Sequence, residues 1–147
     1  MIEGVIVQQL KQIEDERGKV MYMLRADSPL FMGFGEIYFS IINPGAVKAW
    51  KRHLKVTQHL AVPVGKIRLV IFDYRKDSPS CGTIDVLETG EDNYCLVKIP
   101  PLIWYGFKGM SLDKTLIANC TDLPHDPDEV ERLSPSDRQI PYNWGND

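Results

Sequence analysis

Residues 45–75 read GAVKAWKRHLKVTQHLAVPVGKIRLVIFDYR, and the fold turns on this stretch. β-branched and aromatic residues dominate two runs that meet at Gly65, where a tight turn needs a residue free of a Cβ. The pattern predicts two long strands, Ala46 to Val62 with breaks and Lys66 to Tyr74. Pro63 ends the first run or places it at a sheet edge, because proline cannot donate to a ladder. Side chains alternate faces along a strand. Odd positions give Lys51, His53, Lys55, Thr57 and His59; even positions give Trp50, Leu54, Val56, Leu60 and Val62, interrupted by Arg52 and Gln58. One face is therefore mainly core, and the other carries cations and imidazoles suited to a phosphate or diphosphate. A bulge in this run would change the parity.

Outward from this hairpin, the chain continues in short extended pieces. Val5 to Ile13 and Lys19 to Arg25 flank the polar turn Glu14–Gly18, and Glu36 to Ile42 is aromatic and β-branched. Asn43-Pro44-Gly45 is a turn in which proline presets φ and glycine accepts a positive one. Thr83 to Glu88, Tyr94 to Ile99 and Leu116 to Cys120 complete the set. Strands at such spacing indicate a sandwich or barrel rather than βαβ units. One helix signal comes late: Asp126 can cap, Pro127 fits a first turn, and Asp128, Glu129 and Glu131 suit the positive end of a helix dipole. The expected fold is all-β, a small barrel with a short C-terminal helix, in a single domain over residues 1–147.

The 147 residues are enough for a substantial core, and a formal charge of −3 lacks the broad basic surface of a nucleic-acid binder. The apolar run Ile67 to Phe72 contains Arg68 and is too short to span a bilayer, so no membrane association is expected. The N-terminal residues show no targeting pattern. Cys81, Cys95 and Cys120 are an odd number without metal-type spacing, as for free thiols in a reducing cytoplasm. Asn119-Cys120-Thr121 has the form of a glycosylation acceptor, which means little without a secretory leader.

Other chemistries lack their residues. His53 and His59 have no third ligand at metal-site spacing, and His125 in LPHDPD has no obvious partner. No Gly-x-Ser-x-Gly is present, and Gly33 and Gly35 are not followed by a third glycine and a helix. The segment KIPPLIWYGF, Lys98 to Phe107, is more informative. Its double proline makes a rigid loop, after which Trp104, Tyr105 and Phe107 offer flat surfaces for a sugar or base and a phenol for proton transfer.

Taken in order, GAVKAWKRH, GKIRLVIFDYR with Asp73 and Arg75, Asp77-Ser78-Pro79 before Gly82, IPPLIWYGF and NCTD form a pattern. Over about Gly35 to Trp144 it resembles the nucleotide-sugar 3,5-epimerases of deoxysugar biosynthesis, typified by dTDP-4-dehydrorhamnose 3,5-epimerase. The resemblance implies a cupin-type jelly roll, a homodimer, and a nucleoside-diphosphate sugar in the barrel with no cofactor or metal. It also implies enolisation of a 4-keto-6-deoxyhexose by proton abstraction at C3 or C5. The usual catalytic positions are changed. The family's histidine falls on Lys51, its phosphate-binding arginine on Lys48, its lysine near Gln58 and its tyrosine on Ala118. Tyr105 replaces the histidine of His-Gly-Phe, Asp122 matches a polar position, and Leu123 and Pro124 replace two tyrosines.

The expected site follows from combining the two. His53, or failing that His59, is the base, since imidazole titrates near neutrality. Lys51 steadies the enolate, Tyr105 is the acid, Lys48 and Arg52 hold the diphosphate, and Trp104 and Asp122 contact substrate. The rival expectation is a jelly roll that binds a sugar nucleotide or a pathway partner without turning it over.

Overall fold

The structure is a computed structural model, and it describes residues 1–145. Its strands are β1 (Ile6–Gln9), β2 (Gln12–Asp15), β3 (Gly18–Met21), β4 (Glu36–Ile42), β5 (Val47–His53), β6 (Gln58–Val64), β7 (Lys66–Phe72), β8 (Ile84–Gly90), β9 (Cys95–Ile99), β10 (Trp104–Gly109), β11 (Thr115–Thr121) and β12 (Val130–Arg132). Two five-stranded antiparallel sheets face each other. The first has the order β1-β9-β6-β11-β4 and the second β12-β5-β10-β7-β8, with β2–β3 as a separate hairpin. This is the expected jelly roll of the cupin type.

The run predicted as one broken strand is two strands in different sheets. Leu54 to Thr57 carry the chain across, so β5 lies in the second sheet and β6 in the first. Gly65 makes the β6–β7 turn at φ +83°, and a Cβ there would lie 2.4 Å from Thr115 Oγ1. Gly45 adopts φ +74° in the turn before β5, as its sequence context requires.

Apolar residues of both inner faces, among them Leu60, Val62, Ile67, Leu69, Ile71, Val97 and Ile117, form the core between the sheets. A second core lies outside the second sheet. There Trp50, Val70, Phe72 and Trp104 pack under Ile140 and Trp144 of the C-terminal segment. This accounts for the unbroken apolar run in β7, since a strand covered on both faces has no polar side to alternate with. Burying one indole such as Trp50 contributes roughly 4–6 kcal/mol, so the C-terminal cover is integral to the sheet.

Two segments differ from expectation. Residues 104–109, given no strand from the sequence, form the central strand β10 between β5 and β7. The expected helix is only a three-residue 3-10 turn, Pro127–Glu129, capped by Asp126, whose Oδ1 accepts the Asp128 N–H at 2.9 Å. Val130 leaves the turn extended and pairs with His53. Strand pairing with β5 therefore overrides the local helix preference.

Register between β10 and β5 determines which side chains enter the barrel. Tyr105 pairs with Lys51 and Phe107 with Lys48, so two steps on β10 span three on β5. The extra residue is a bulge that returns Lys48 to the inner face alongside Lys51. Gly106 permits it, since a Cβ there would lie 2.5 Å from the Ala49 Cβ. Beyond the bulge the alternation is regular. Lys51 and His53 face inward, and Arg52 faces outward with Trp104.

Candidate active site

The site is built on the second sheet's inner face and closed by the 3-10 turn. Because β12 pairs with β5, Glu129 is delivered directly beside His53. Its Oε1 lies 2.5 Å from His53 Nδ1. Its Oε2 accepts the backbone N–H groups of Leu54, Lys55 and Val56 at 3.1, 3.2 and 3.4 Å. Both side chains are buried, at 6% and 4% exposure.

The protonation states follow from these contacts. Burial alone would raise the Glu129 carboxyl, but the His53 hydrogen bond and the amides of Lys55 and Val56 outweigh it and hold the group below its ordinary value. Burial lowers His53, with the Glu129 hydrogen bond and charge opposing it. The pair is thus a carboxylate and a neutral imidazole, with Nδ1–H donating to Glu129 and a lone pair on Nε2. Nε2 is buried and has no hydrogen-bond partner among the described residues. The ring lies nearly parallel to Tyr105, with 6.3 Å between centroids.

Two cavities meet in front of this pair. One, of about 330 Å³, is lined by Tyr38, Lys48, Lys51, Tyr105, Asn119 and Arg132 among others. The second, of about 380 Å³, holds His53 and Glu129, with Glu36 and His125 also lining it. Tyr38 and Lys51 line both. Tyr38 comes from β4 and Arg132 from β12, which are edge strands of opposite sheets. The cleft therefore opens where the sandwich is not closed.

The two walls differ in chemistry. The second sheet contributes Lys48, Lys51, His53, Tyr105 and Arg132. Burial lowers the Lys51 ammonium, and the charges of Arg132 and Lys48 push it further in the same direction. A cluster of this kind favours an anionic ligand. The first sheet contributes a neutral network. Asn119 Nδ2 donates to Tyr38 Oη and to Gln58 Oε1, both at 2.9 Å. Burial raises both phenols, with Gln58 partly offsetting the effect at Tyr105 and Asn119 at Tyr38. Both therefore keep their protons at neutral pH.

Of the expected site residues, His53, Lys51, Lys48 and Tyr105 are brought together. The other four lie elsewhere. His59 is fully buried, with Nδ1 2.8 Å from the Cys120 carbonyl oxygen and Nε2 3.0 Å from that of Leu30, so neither nitrogen is available as a base. Arg52 points outward, ion-paired to Glu131 and 4.8 Å above the Trp104 ring, and both line a separate open groove. Asp122 accepts the Thr57 N–H at 2.8 Å and fastens the β5–β6 crossing without lining either cavity. Glu129, Tyr38, Asn119 and Arg132 were not expected from the sequence. Tyr38 and Ser40 could have been found, because in EIYFSII the exposed positions are Ile37, Phe39 and Ile41 and the polar residues face inward. Glu129 carried no such signal.

Among the described residues, no group of three or more His, Cys, Asp or Glu is placed to hold a metal ion. All three cysteines are free, and only Cys81 is exposed. Among the described residues, no helix is long and apolar enough to cross a membrane.

Fold and site define a cupin-type jelly roll with a carboxylate-oriented histidine opening onto a cation-lined barrel. The sequence profile described as dTDP-4-dehydrorhamnose 3,5-epimerase matches residues 1–147, and the chain belongs to that family. It is 48% identical to a dTDP sugar isomerase from Desulfovibrio desulfuricans whose crystal structure superposes with a TM-score of 0.97, covering 99% of this chain and 94% of that one. The "Probable low-salt glycan biosynthesis epimerase Agl13" of Haloferax volcanii is 38% identical over 144 residues, 97% of this chain and 89% of that protein. The spore coat polysaccharide biosynthesis protein SpsL of Bacillus subtilis is 32% identical over 149 residues, 100% of this chain and 99% of that protein.

Proposed function

We propose that the protein epimerises a nucleoside-diphosphate 4-keto-6-deoxyhexose in the assembly of a surface glycan. The observation that carries this reading is the His53–Glu129 pair, which lines a cleft together with Lys51 and leaves Nε2 buried without a partner among the described residues. In this reading His53 Nε2 takes the proton from the carbon next to the ketone, and the electron pair moves onto the ketone oxygen. Lys51 stabilises that oxygen, while Lys48 and Arg132 hold the diphosphate. Inversion requires the proton to return on the opposite face. Tyr105 is on the base's own wall and stacks on His53, whereas Tyr38 stands on the facing sheet. We therefore assign the acid to Tyr38 and leave Tyr105 to pack and orient the imidazole.

The sugar nucleotides named in relatives, and the glycan pathways to which two of them belong, support the substrate class. The free thiols fit a cytoplasmic setting. A homodimer is supported by the outward row Ile37, Phe39 and Ile41 on the edge strand β4, 55 to 64% exposed. The experiment is proton exchange in D₂O. Protein is incubated with a panel of nucleoside-diphosphate 4-keto-6-deoxyhexoses, and deuterium is read by NMR at C3 and C5. Incorporation above a no-enzyme control, abolished in His53→Ala, is the expected result. Binding without exchange would replace this reading with that of a non-catalytic sugar-nucleotide binder.

A further inference from the structure

Asn119 is 3% exposed and lines the cation-walled cavity, yet its Oδ1 has no hydrogen-bond partner among the described residues. Its Nδ2 is fully committed, to Tyr38 Oη and Gln58 Oε1. The orientation of the amide is thus tied to both neighbours, and the remaining acceptor is left unpaired in the wall of the cavity that Asn119 lines. A buried acceptor left unpaired carries a desolvation cost that native structures rarely retain without a use.

From this we infer that Asn119 Oδ1 is a specificity element that accepts a hydrogen bond from a hydroxyl of the bound sugar. The inference rests on the reaction proposed above and adds which substituent the substrate must carry. The partner has to be a donor, because the orphan atom is an acceptor. It has to be uncharged, because Lys48, Lys51 and Arg132 line the same cavity and would repel an ammonium group. A hydroxyl at C2 or C3 of the hexose meets both conditions, and an amino substituent at that carbon does not.

The same residue links recognition to proton return. With Nδ2 donating to Tyr38 Oη, the phenol's own proton is free to point at the ligand. A sugar hydroxyl seated on Oδ1 lies beside that proton, on the wall opposite His53. Asn119 is a positioning residue for Tyr38 and a direct contact for substrate. A site that hydrogen-bonds a substrate hydroxyl rejects the compound lacking it far more strongly than an apolar pocket could, since the protein acceptor is then stranded.

The test crosses a change in the protein with a change in the substrate. Proton exchange, as kcat/KM, is measured for the 4-keto-6-deoxyhexose nucleotide and its 2-deoxy and 3-deoxy counterparts, with native protein and Asn119→Ala. One deoxy compound is expected to lose roughly ten- to hundredfold with native protein. Asn119→Ala should lose a similar factor on the full substrate and nothing further on that deoxy compound. A third protein, Asn119→Asp, keeps an acceptor and should retain the hydroxyl preference even where turnover falls. The inference is overturned if native protein treats all three nucleotides within about twofold, or if Asn119→Ala lowers all three equally. Should Asn119→Ala not fold, the native panel and Asn119→Asp decide it alone. If native protein exchanges no sugar proton on any nucleotide, the reaction reading fails. The hydroxyl contact is then decided by calorimetric affinities for the same three nucleotides, with the same two outcomes.

Discussion

Replacing Glu129 with Gln tests the chemistry at its most constrained point. The substitution conserves volume and leaves one oxygen, and the Leu54, Lys55 and Val56 N–H groups around Oε2 demand an acceptor there. The side-chain oxygen will therefore stay on the amides, and the new NH₂ will face His53 Nδ1. Two donors cannot share that 2.5 Å approach, so the imidazole shifts its proton to Nε2, the atom that has to accept one. The fold loses the charge assistance of one hydrogen bond and keeps the rest, a cost of about 1–3 kcal/mol. Catalysis loses the base: the corresponding tautomer error in a serine-protease triad costs about 10⁴ in kcat, and a fall of about 10³–10⁴ is expected here. The assay pairs proton exchange in D₂O with ¹⁵N NMR of the histidine ring at neutral pH, which reports the tautomer directly. A variant that holds Nε2–H and still exchanges within tenfold of the native rate would refute His53 as the base. One that keeps the native tautomer would refute the orienting role of Glu129.

The pH dependence has a definite sign. Burial lowers His53 below its ordinary 6.5 against the opposing pull of Glu129, so its contribution to stability and its basicity are complete above 6.5. Both should decline as pH falls through the depressed value, an acid limb in kcat/KM below 6.5 that a pH–rate profile locates. A limb above 6.5 would contradict the assignment. Glu129 is held below its ordinary 4.5, so its stabilisation should be intact above 4.5 and fail only at lower pH, as acid unfolding followed by circular dichroism would show. His59→Leu removes the buried ring N–H that donates to the Cys120 or Leu30 carbonyl and should cost about 1–3 kcal/mol in chemical denaturation. Its folded fraction should keep native turnover within a few fold, and lost activity at unchanged stability would place His59 in the reaction. Arg52→Ala removes a partly exposed ion pair and a cation–π contact, about 0.5–1.5 kcal/mol. Calorimetric affinity for the sugar nucleotide should not change, whereas a loss of tenfold or more would bring Arg52 into the binding site.

The legible part of the fold was set by local signals. Gly65, Pro44-Gly45 and the apolar run of β7 fix turns and a doubly covered strand whatever surrounds them. The strand at 104–109 was not legible because Pro100-Pro101 marks a loop so strongly that it masks the extended run after it. In the site, the inward face of β5 was visible because Lys51 and His53 are two residues apart in an extended run. Arg52 and Trp104 lie apart from the cleft for one reason: a second core outside the sheet requires the C-terminal segment to fold back over it, and no period in β5 or β10 encodes that. Glu129 was hidden for a similar reason. Its value to His53 arises from pairing across 76 residues of sequence separation, while its neighbours Asp126 to Asp128 advertise a helix cap.

These placements bear on how the site differs from the family pattern. In the resemblance, the family's histidine position is held by Lys51, and the histidine of this chain stands two residues further on. A step of two along a strand returns a side chain to the same face, displaced by about 7 Å. The wall therefore keeps an imidazole beside a cation, with the imidazole moved toward the loop end of the barrel. A histidine there leaves the middle of the β5 ladder for its last residue, where an orienting carboxylate has to come from outside the sheet. The 3-10 turn supplies it, and the pairing of Val130 with His53 fixes the approach. The neutral residues on the facing sheet are consistent with the same displacement. Near the lysine of the family pattern this chain has Gln58, hydrogen-bonded to Asn119. With Lys51 already supplying the cation from the opposite wall, a second one there would only add to the repulsion among Lys48, Lys51 and Arg132.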